Sequence, residues 1–329
     1  MVPAKKTNMA ILFADSDYLE GFMSYIIEKD TGFSCFGFTA DEHLRSYARE
    51  NEIAVLLTDE ASFEKGARHI NSEMTIVLTE RPGAERAEDV YTINILQPID
   101  EIVREIMKTA AKMDIAVSCD MLKAEGRLYT FFSPVGRTLK TTLAMAASQI
   151  LSDREKTIYL NLEPDSGFSV LFRQEYDTDL SDLLFYLRDG AGERALMMLR
   201  GAICDIHGAS FIPPVTDPGD LCQISKTEID NLMKAICAAG YKNIVLDLGA
   251  FIPGLIQILL MSSRIFMPVR GDGISQAKTA QFFSYLRTLK DAPVEEKIER
   301  LELPFFKEVP MLTANMRGTR LGAYMESLL

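Results

Sequence analysis

Two α/β domains in tandem, each built on a parallel sheet, are what this sequence predicts. Two observations carry that prediction. Early in the chain, short apolar runs alternate with stretches of helical, 3.6-residue periodicity. Further on, an aromatic run, a loop, an Ala- and Leu-rich helical stretch and a second apolar run follow one another between residues 128 and 162. Strands that alternate with helices need crossover connections, and crossovers produce parallel sheets. A chain of 329 residues has room for two such cores.

In the first domain the spacing predicts strands over 10–14, 33–38, 53–58, 74–79 and 92–96. Between the first two, Leu19, Phe22, Met23, Ile26 and Ile27 share one helix face, with Asp17 as the expected N-cap. After Pro98, the residues Ile99, Ile102, Val103, Ile106 and Met107 form a second apolar stripe. Residues 116–126 carry no period and read as a linker. The expected domains are therefore 1–115 and 127–329.

Composition excludes several function classes. The net charge of -12 argues against broad electrostatic binding to nucleic acid, which needs clustered Lys and Arg. The five cysteines (Cys35, Cys119, Cys204, Cys222 and Cys237) form no CxxC pair, and their odd number fits free thiols rather than a disulfide framework or a zinc site. His43, His69 and His207 are scattered and read as structural. No signal peptide is expected, because the apolar run at 9–14 is short and leads into acids. The stretch 251–261 is interrupted by Pro253, Gly254 and Gln257, and falls well short of the roughly 20 residues that span a bilayer. A cytoplasmic chain without a transmembrane segment is expected.

The second domain carries the chemistry. The strand at 128–133 runs into Pro134, Val135, Gly136, Arg137, Thr138, Leu139, Lys140, Thr141 and Thr142, and a helix follows. Backbone N–H groups of such a loop and helix start cradle phosphate oxygens. Lys140 is placed to add charge at the β and γ phosphates, and the Thr141 hydroxyl to ligate Mg2+. Gly136, Arg137 and Thr142 complete the candidate nucleotide contacts. A later apolar strand ends in Asp247, read either as a cap or as an acid acting on the magnesium shell.

The loop resembles the deviant Walker A motif of the ParA/MinD family, Gly-Lys-Gly-Gly-x-Gly-Lys-Thr-Thr. Gly136, Lys140, Thr141 and Thr142 match it. Pro134, Arg137 and Leu139 stand where the family has glycine, and Val135 where it has the lysine that reaches a partner's nucleotide. If Leu139 takes the positive φ of that glycine, the strain is about 1–2 kcal/mol. Residues 161–167 resemble the family's Asp-x-Asp-Pro-x-x-Gly segment, with Asn161 and Glu163 replacing the two aspartates. Residues 211–221 resemble the stretch before the Walker B helix, and 241–249 resemble the Walker B strand. The resemblance implies ATP and Mg2+ as cofactors, a homodimer, and Glu163 and Asp247 as the catalytic acids. Glu163 is one methylene longer than the family's aspartate, so slow or absent hydrolysis is expected.

The first domain resembles a response-regulator receiver in its flavodoxin-like order. Asp15 and Asp17 follow the first strand, Asp59 ends the third and Thr79 the fourth. Where receivers have Lys-Pro, this chain has Gln97-Pro98. The resemblance implies a phospho-acceptor pocket of Asp15, Asp59 and Thr79; the alternative is a docking module whose acids cap strands and helices. A receiver-like module before a ParA/MinD-type ATPase resembles the TadZ/CpaE group. That implies an ATP-binding, dimerising localisation or scaffold protein of a Tad (Flp) pilus or secretion assembly, at a membrane-proximal or polar focus. A nucleotide-free docking scaffold and a response-regulator-type switch remain the alternatives. The terminal stretch 318–329 has two glycines and little basic character, a weak membrane-surface helix.

Overall fold

The structure, a computed structural model, describes residues 7–28, 31–82, 90–113, 115, 126–188, 190–250, 252–289 and 294–329. Of the expected linker only Gly126 falls among them, and Cys119 lies outside. The chain begins with Thr7–Leu12 (β1), Ser16–Glu28 (α1), Phe33–Phe38 (β2), Asp41–Glu50 (α2), Val55–Asp59 (β3) and Glu60–Lys65 (α3). Met74–Thr79 (β4), Val90–Asn94 (β5) and Ile99–Lys112 (α4) follow. Next come Arg127–Phe132 (β6), Lys140–Ser152 (α5), Thr157–Leu162 (β7), Phe168–Phe172 (α6), Leu180–Leu187 (α7) and Glu193–Ala202 (α8). The chain continues through Cys204–Ile206 (β8), Ala209–Ile212 (β9), Pro218–Gln223 (α9), Lys226–Ala238 (α10) and Asn243–Leu248 (β10). It ends with Leu255–Met261 (α11), Arg264–Val269 (β11), Gly273–Thr288 (α12), Ile298–Glu302 (β12) and Arg320–Glu326 (α13).

These elements form two compact units, residues 1–121 with 191–201, and residues 122–190 with 202–329. In the first, five parallel strands lie in the order β2-β1-β3-β4-β5, the flavodoxin-like arrangement. Side chains alternate across a strand, so Ala10, Leu12 and Leu56 share one buried face with Leu44 of α2. On α1 the buried stripe is Leu19, Phe22 and Ile26, while Ile27 turns out to solvent. Asp15 rather than Asp17 caps this helix: its Oδ1 accepts the N–H groups of Asp17 at 2.9 Å and Tyr18 at 3.0 Å. The helix begins at Ser16, and only a carboxylate just before it can bend back onto those donors.

The first unit also takes in nearly all of α8, from the second half of the sequence. Arg194 Nε donates to the Ala111 carbonyl at 3.3 Å, and Arg200 Nη1 to that of Thr31 at 2.9 Å. Gly201 comes so close to α4 that a Cβ there would sit 3.2 Å from the Arg104 carbonyl oxygen.

The second unit is a seven-stranded sheet in the order β12-β11-β6-β10-β7-β9-β8. Every pairing is parallel except that of β8 with β9, a short antiparallel hairpin the periodicity did not predict. Tyr129, Phe131, Tyr159, Phe211, Val245 and Phe266 join one core cluster with α5 and α13. The terminal stretch is part of that core: Leu321 and Met325 are buried against it, so the apolar face of α13 is used internally. A buried amide fixes the segment before α13. Gln149 of α5 donates to the Ala314 carbonyl at 3.2 Å and accepts the Met316 N–H at 2.8 Å. Gln149→Leu leaves both backbone groups unmet and is expected to lower the unfolding free energy by about 1–3 kcal/mol, read from a urea titration.

Candidate functional site

In an open parallel sheet, ligands bind beyond the carboxyl ends of the strands, where the chain reverses its direction of winding. Here that point is β6. The chain passes from β6 to β7 on one side, with β10 filling the gap between them, and later to β11 on the other side. The loop after β6 is 133–139, the stretch singled out by sequence.

Its backbone is held in a special shape. Arg137 and Leu139 have φ of 59° and 60°, two of the four non-glycine residues with positive φ among the described residues. These are the positions where the resembled motif has glycine, so the loop keeps that conformation without the residue that makes it cheap. Gly136, by contrast, has open space where a Cβ would stand and no positive φ. Among the described residues, none of the N–H groups from Gly136 to Thr142 donates to a backbone oxygen. They form a continuous run of unspent donors leading into the N-terminus of α5. Thr138 Oγ1, in the same loop, is buried without a partner among the described residues. Val135 is buried, and its N–H donates to Ser133 Oγ at 3.2 Å while that hydroxyl donates to the Pro268 carbonyl at 2.9 Å. Val135 thus anchors the loop rather than reaching outward.

Lys140 heads α5 and is 9% exposed. Its ammonium sits 2.6 Å from the Leu248 carbonyl and 2.9 Å from Asp247 Oδ1, and it pairs with Glu163 Oε1. Asp247 is fully buried, and its Oδ2 accepts the Tyr159 hydroxyl at 3.1 Å and Asn161 Nδ2 at 3.4 Å. Strand register explains this meeting. Asp247 is level with Asn161 on β7 and with Phe131 on β6, and Val245 is level with Tyr159. Burial raises the Tyr159 phenol well above its ordinary value, and the neighbouring Asp247 carboxylate adds to the effect, so it stays a donor.

Glu163 is also aimed. Its N–H donates to Asn161 Oδ1 at 2.8 Å, and the Gly249 N–H donates to the Leu162 carbonyl at 3.1 Å. A Cβ at Gly249 would fall 2.9 Å from that carbonyl oxygen, so glycine is what lets the two loops close on each other. Tyr159 and Gly249 were not singled out by sequence. Tyr159 lies in an unbroken apolar strand and reads there as core, and only its register beside Asp247 reveals the hydroxyl's task.

In the first unit, Asp15, Asp59 and Thr79 line one cleft of about 700 Å³ at the carboxyl ends of β1, β3 and β4. Both oxygens of Asp59 are engaged. Oδ1 accepts the Ser62 N–H at 2.7 Å, while Oδ2 accepts the Ala14 N–H at 3.0 Å and the Ser62 hydroxyl at 3.1 Å. Thr79 Oγ1 donates to Glu60 at 2.7 Å. The Gln97 amide nitrogen is buried without a partner among the described residues, and this neutral side chain supplies no cation there.

Among the described residues, no group of three or more His, Cys, Asp or Glu side chains is placed to hold a metal ion. Among the described residues, Cys35, Cys204, Cys222 and Cys237 form no disulfide. No described helix is long and apolar enough to cross a membrane.

No family model matches the sequence, and no curated protein matches it. Among solved structures, the chain is similar to a ParA family ATPase from Chlorobium tepidum TLS, at 16% identity and a TM-score of 0.43 over 53% of this chain and 72% of that one. It is similar to a plasmid partition protein from Borrelia burgdorferi B31 bound to AMPPNP, at 16% identity and a TM-score of 0.43 over 62% and 82% of the two chains. A cobyrinic acid a,c-diamide synthase from Mycobacterium smegmatis, with a bound ATP analog and magnesium, is similar at 11% identity and a TM-score of 0.44 over 62% and 94%. Likeness at that level assigns no function to this chain.

Two outcomes are expected from this geometry. Arg137→Gly relieves a left-handed residue on an exposed loop and raises the unfolding free energy by about 1 kcal/mol, measured by chemical denaturation. Asp59→Ala removes the N-cap of α3 and lowers stability by about 0.5–2 kcal/mol, read as a shift in the urea midpoint.

Proposed function

We propose that the second unit binds ATP with Mg2+ in the 133–142 loop, and that the chain is a nucleotide-binding localisation or scaffold protein of the ParA/MinD type. The observation that carries this reading is the run of unspent N–H groups from Gly136 to Thr142, which includes Lys140 and is set at the winding reversal of the sheet. Backbone donors in that number, at a helix N-terminus beside an ammonium, match the oxygens of a polyphosphate.

The residues present fit a magnesium ion held jointly with substrate. Mg2+ usually takes one or two protein oxygens, substrate phosphates and waters. Thr141 would hold it through its hydroxyl. Asp247 would act on its water shell indirectly, since its oxygens are engaged by Lys140, Tyr159 and Asn161. When bound, the ion supplies charge neutralisation at the phosphates. The chain's own residues orient the polyphosphate by loop amides and hold its charge at Lys140.

Hydrolysis is proposed to be weak or absent. Glu163 pairs with Lys140 and is thereby withdrawn from orienting an attacking water. The capping work of Asp15 and Asp59 favours a receiver-like docking module over a phosphorylated switch. More narrowly, we propose a TadZ/CpaE-like role: a homodimer that recruits components of a Tad (Flp) pilus or secretion assembly to a membrane-proximal focus.

Calorimetric titration with Mg-ATP tests the reading. Wild type is expected to bind saturably. Lys140→Ala is expected to lose binding, and its melting curve checks that burying Asp247 without its ammonium has not unfolded the unit. Thr141→Ala, at the helix surface, is expected to keep the fold and bind ATP with less dependence on Mg2+. Absence of binding by wild type at millimolar nucleotide would reject a nucleotide function.

A further inference from the structure

We infer that Glu163 is a resident anion of the phosphate loop that competes with nucleotide for Lys140 and discriminates against the more highly charged triphosphate. The inference rests on the nucleotide reading above.

A lysine ammonium has three N–H groups. In this structure it donates to the Glu163 carboxylate and the Leu248 carbonyl, while Asp247 Oδ1 stands 2.9 Å away as an ion-pair partner without hydrogen-bond alignment. A phosphate oxygen that approaches Lys140 competes with these groups for the ammonium. The Leu248 carbonyl belongs to a central strand, and Asp247 is fully buried between Tyr159, Asn161 and the ammonium. Glu163 sits on the loop after β7, and its side chain is 30% exposed. It is the one acceptor that can turn out to solvent without leaving a buried charge behind.

Charge points the same way. The cluster holds one ammonium and two carboxylates, a net of minus one in a poorly hydrated place. Asn161 and Val135 add no charge on either side. An approaching polyphosphate therefore meets an anion already seated on its lysine, and the penalty grows with the charge of the ligand. The geometry that aims Glu163 is built in rather than incidental: Asn161 holds its N–H, and the Gly249–Leu162 contact holds its loop against β10.

Glu163 is assigned here as a specificity residue through its contact with Lys140, not as a group that orients water. Glu163→Gln keeps size and removes charge. Titration calorimetry of wild type and Glu163→Gln with Mg-ATP and with Mg-ADP, on protein whose melting temperature is unchanged, reads the effect. The variant is expected to bind Mg-ATP about ten-fold or more tightly than wild type, with a clearly smaller gain for Mg-ADP. Equal or weaker Mg-ATP binding by Glu163→Gln, with wild type binding well, overturns the inference and leaves the nucleotide reading standing. An equal gain for both nucleotides overturns the selectivity. No binding by either protein overturns the inference together with the nucleotide reading.

Discussion

The ammonium of Lys140 is the group on which the centre of the second unit depends. Asp247 is fully buried at the end of a central strand, and a carboxylate in that position persists only if it is paired and hydrogen-bonded. Lys140 supplies the charge, while Tyr159 and Asn161 supply the hydrogen bonds. The four residues come from three elements: Lys140 from α5, Tyr159 and Asn161 from β7, and Asp247 from β10. The cluster thus ties the helix that begins at the phosphate loop to the two strands beside it. Charged at the top and apolar below, this face of the sheet joins a core of Tyr129, Phe131, Val245 and Phe266 to a polar crown.

The loop above that crown keeps an expensive backbone. Arg137 and Leu139 stand in left-handed geometry that glycine would adopt at little cost. A strained conformation survives when its surroundings over-determine it. Here the surroundings are identifiable: buried Val135 and Ser133 fix the entry through the Pro268 carbonyl, and Leu139 packs against the main core cluster at the exit. Non-glycine residues here hold a backbone shape that glycine adopts at little cost, which separates the capacity to offer amides from glycine itself.

The first unit uses similar residue types for a different end. Its acids gather at the carboxyl edge of a parallel sheet, yet Asp15 spends one carboxylate oxygen and Asp59 both on donors of α1, α3 and the turn after β1. An acid so engaged stabilises a helix start and a chain reversal. The unit also takes in α8, which lies between α7 and β8 of the other unit, and secures it with Arg194, Arg200 and the close approach at Gly201. The chain therefore crosses between the units more than once, a feature that no local pattern in the sequence announces.

Periodicity alone placed most strands and the main helices, because apolar alternation and 3.6-residue stripes are local properties of the chain. Five expected strands of the first unit reappear within a few residues, and the expected strand at 128–133 appears as Arg127–Phe132. Lys140, Thr141, Glu163 and Asp247 were legible because their types follow strand ends in a fixed order. Only tertiary structure decided what they do. Strand register set Asp247 beside Asn161 and Tyr159, and the loop closure at Gly249 turned Glu163 onto Lys140. Register and close approach depend on residues far apart in the chain, and a single sequence carries no local trace of them.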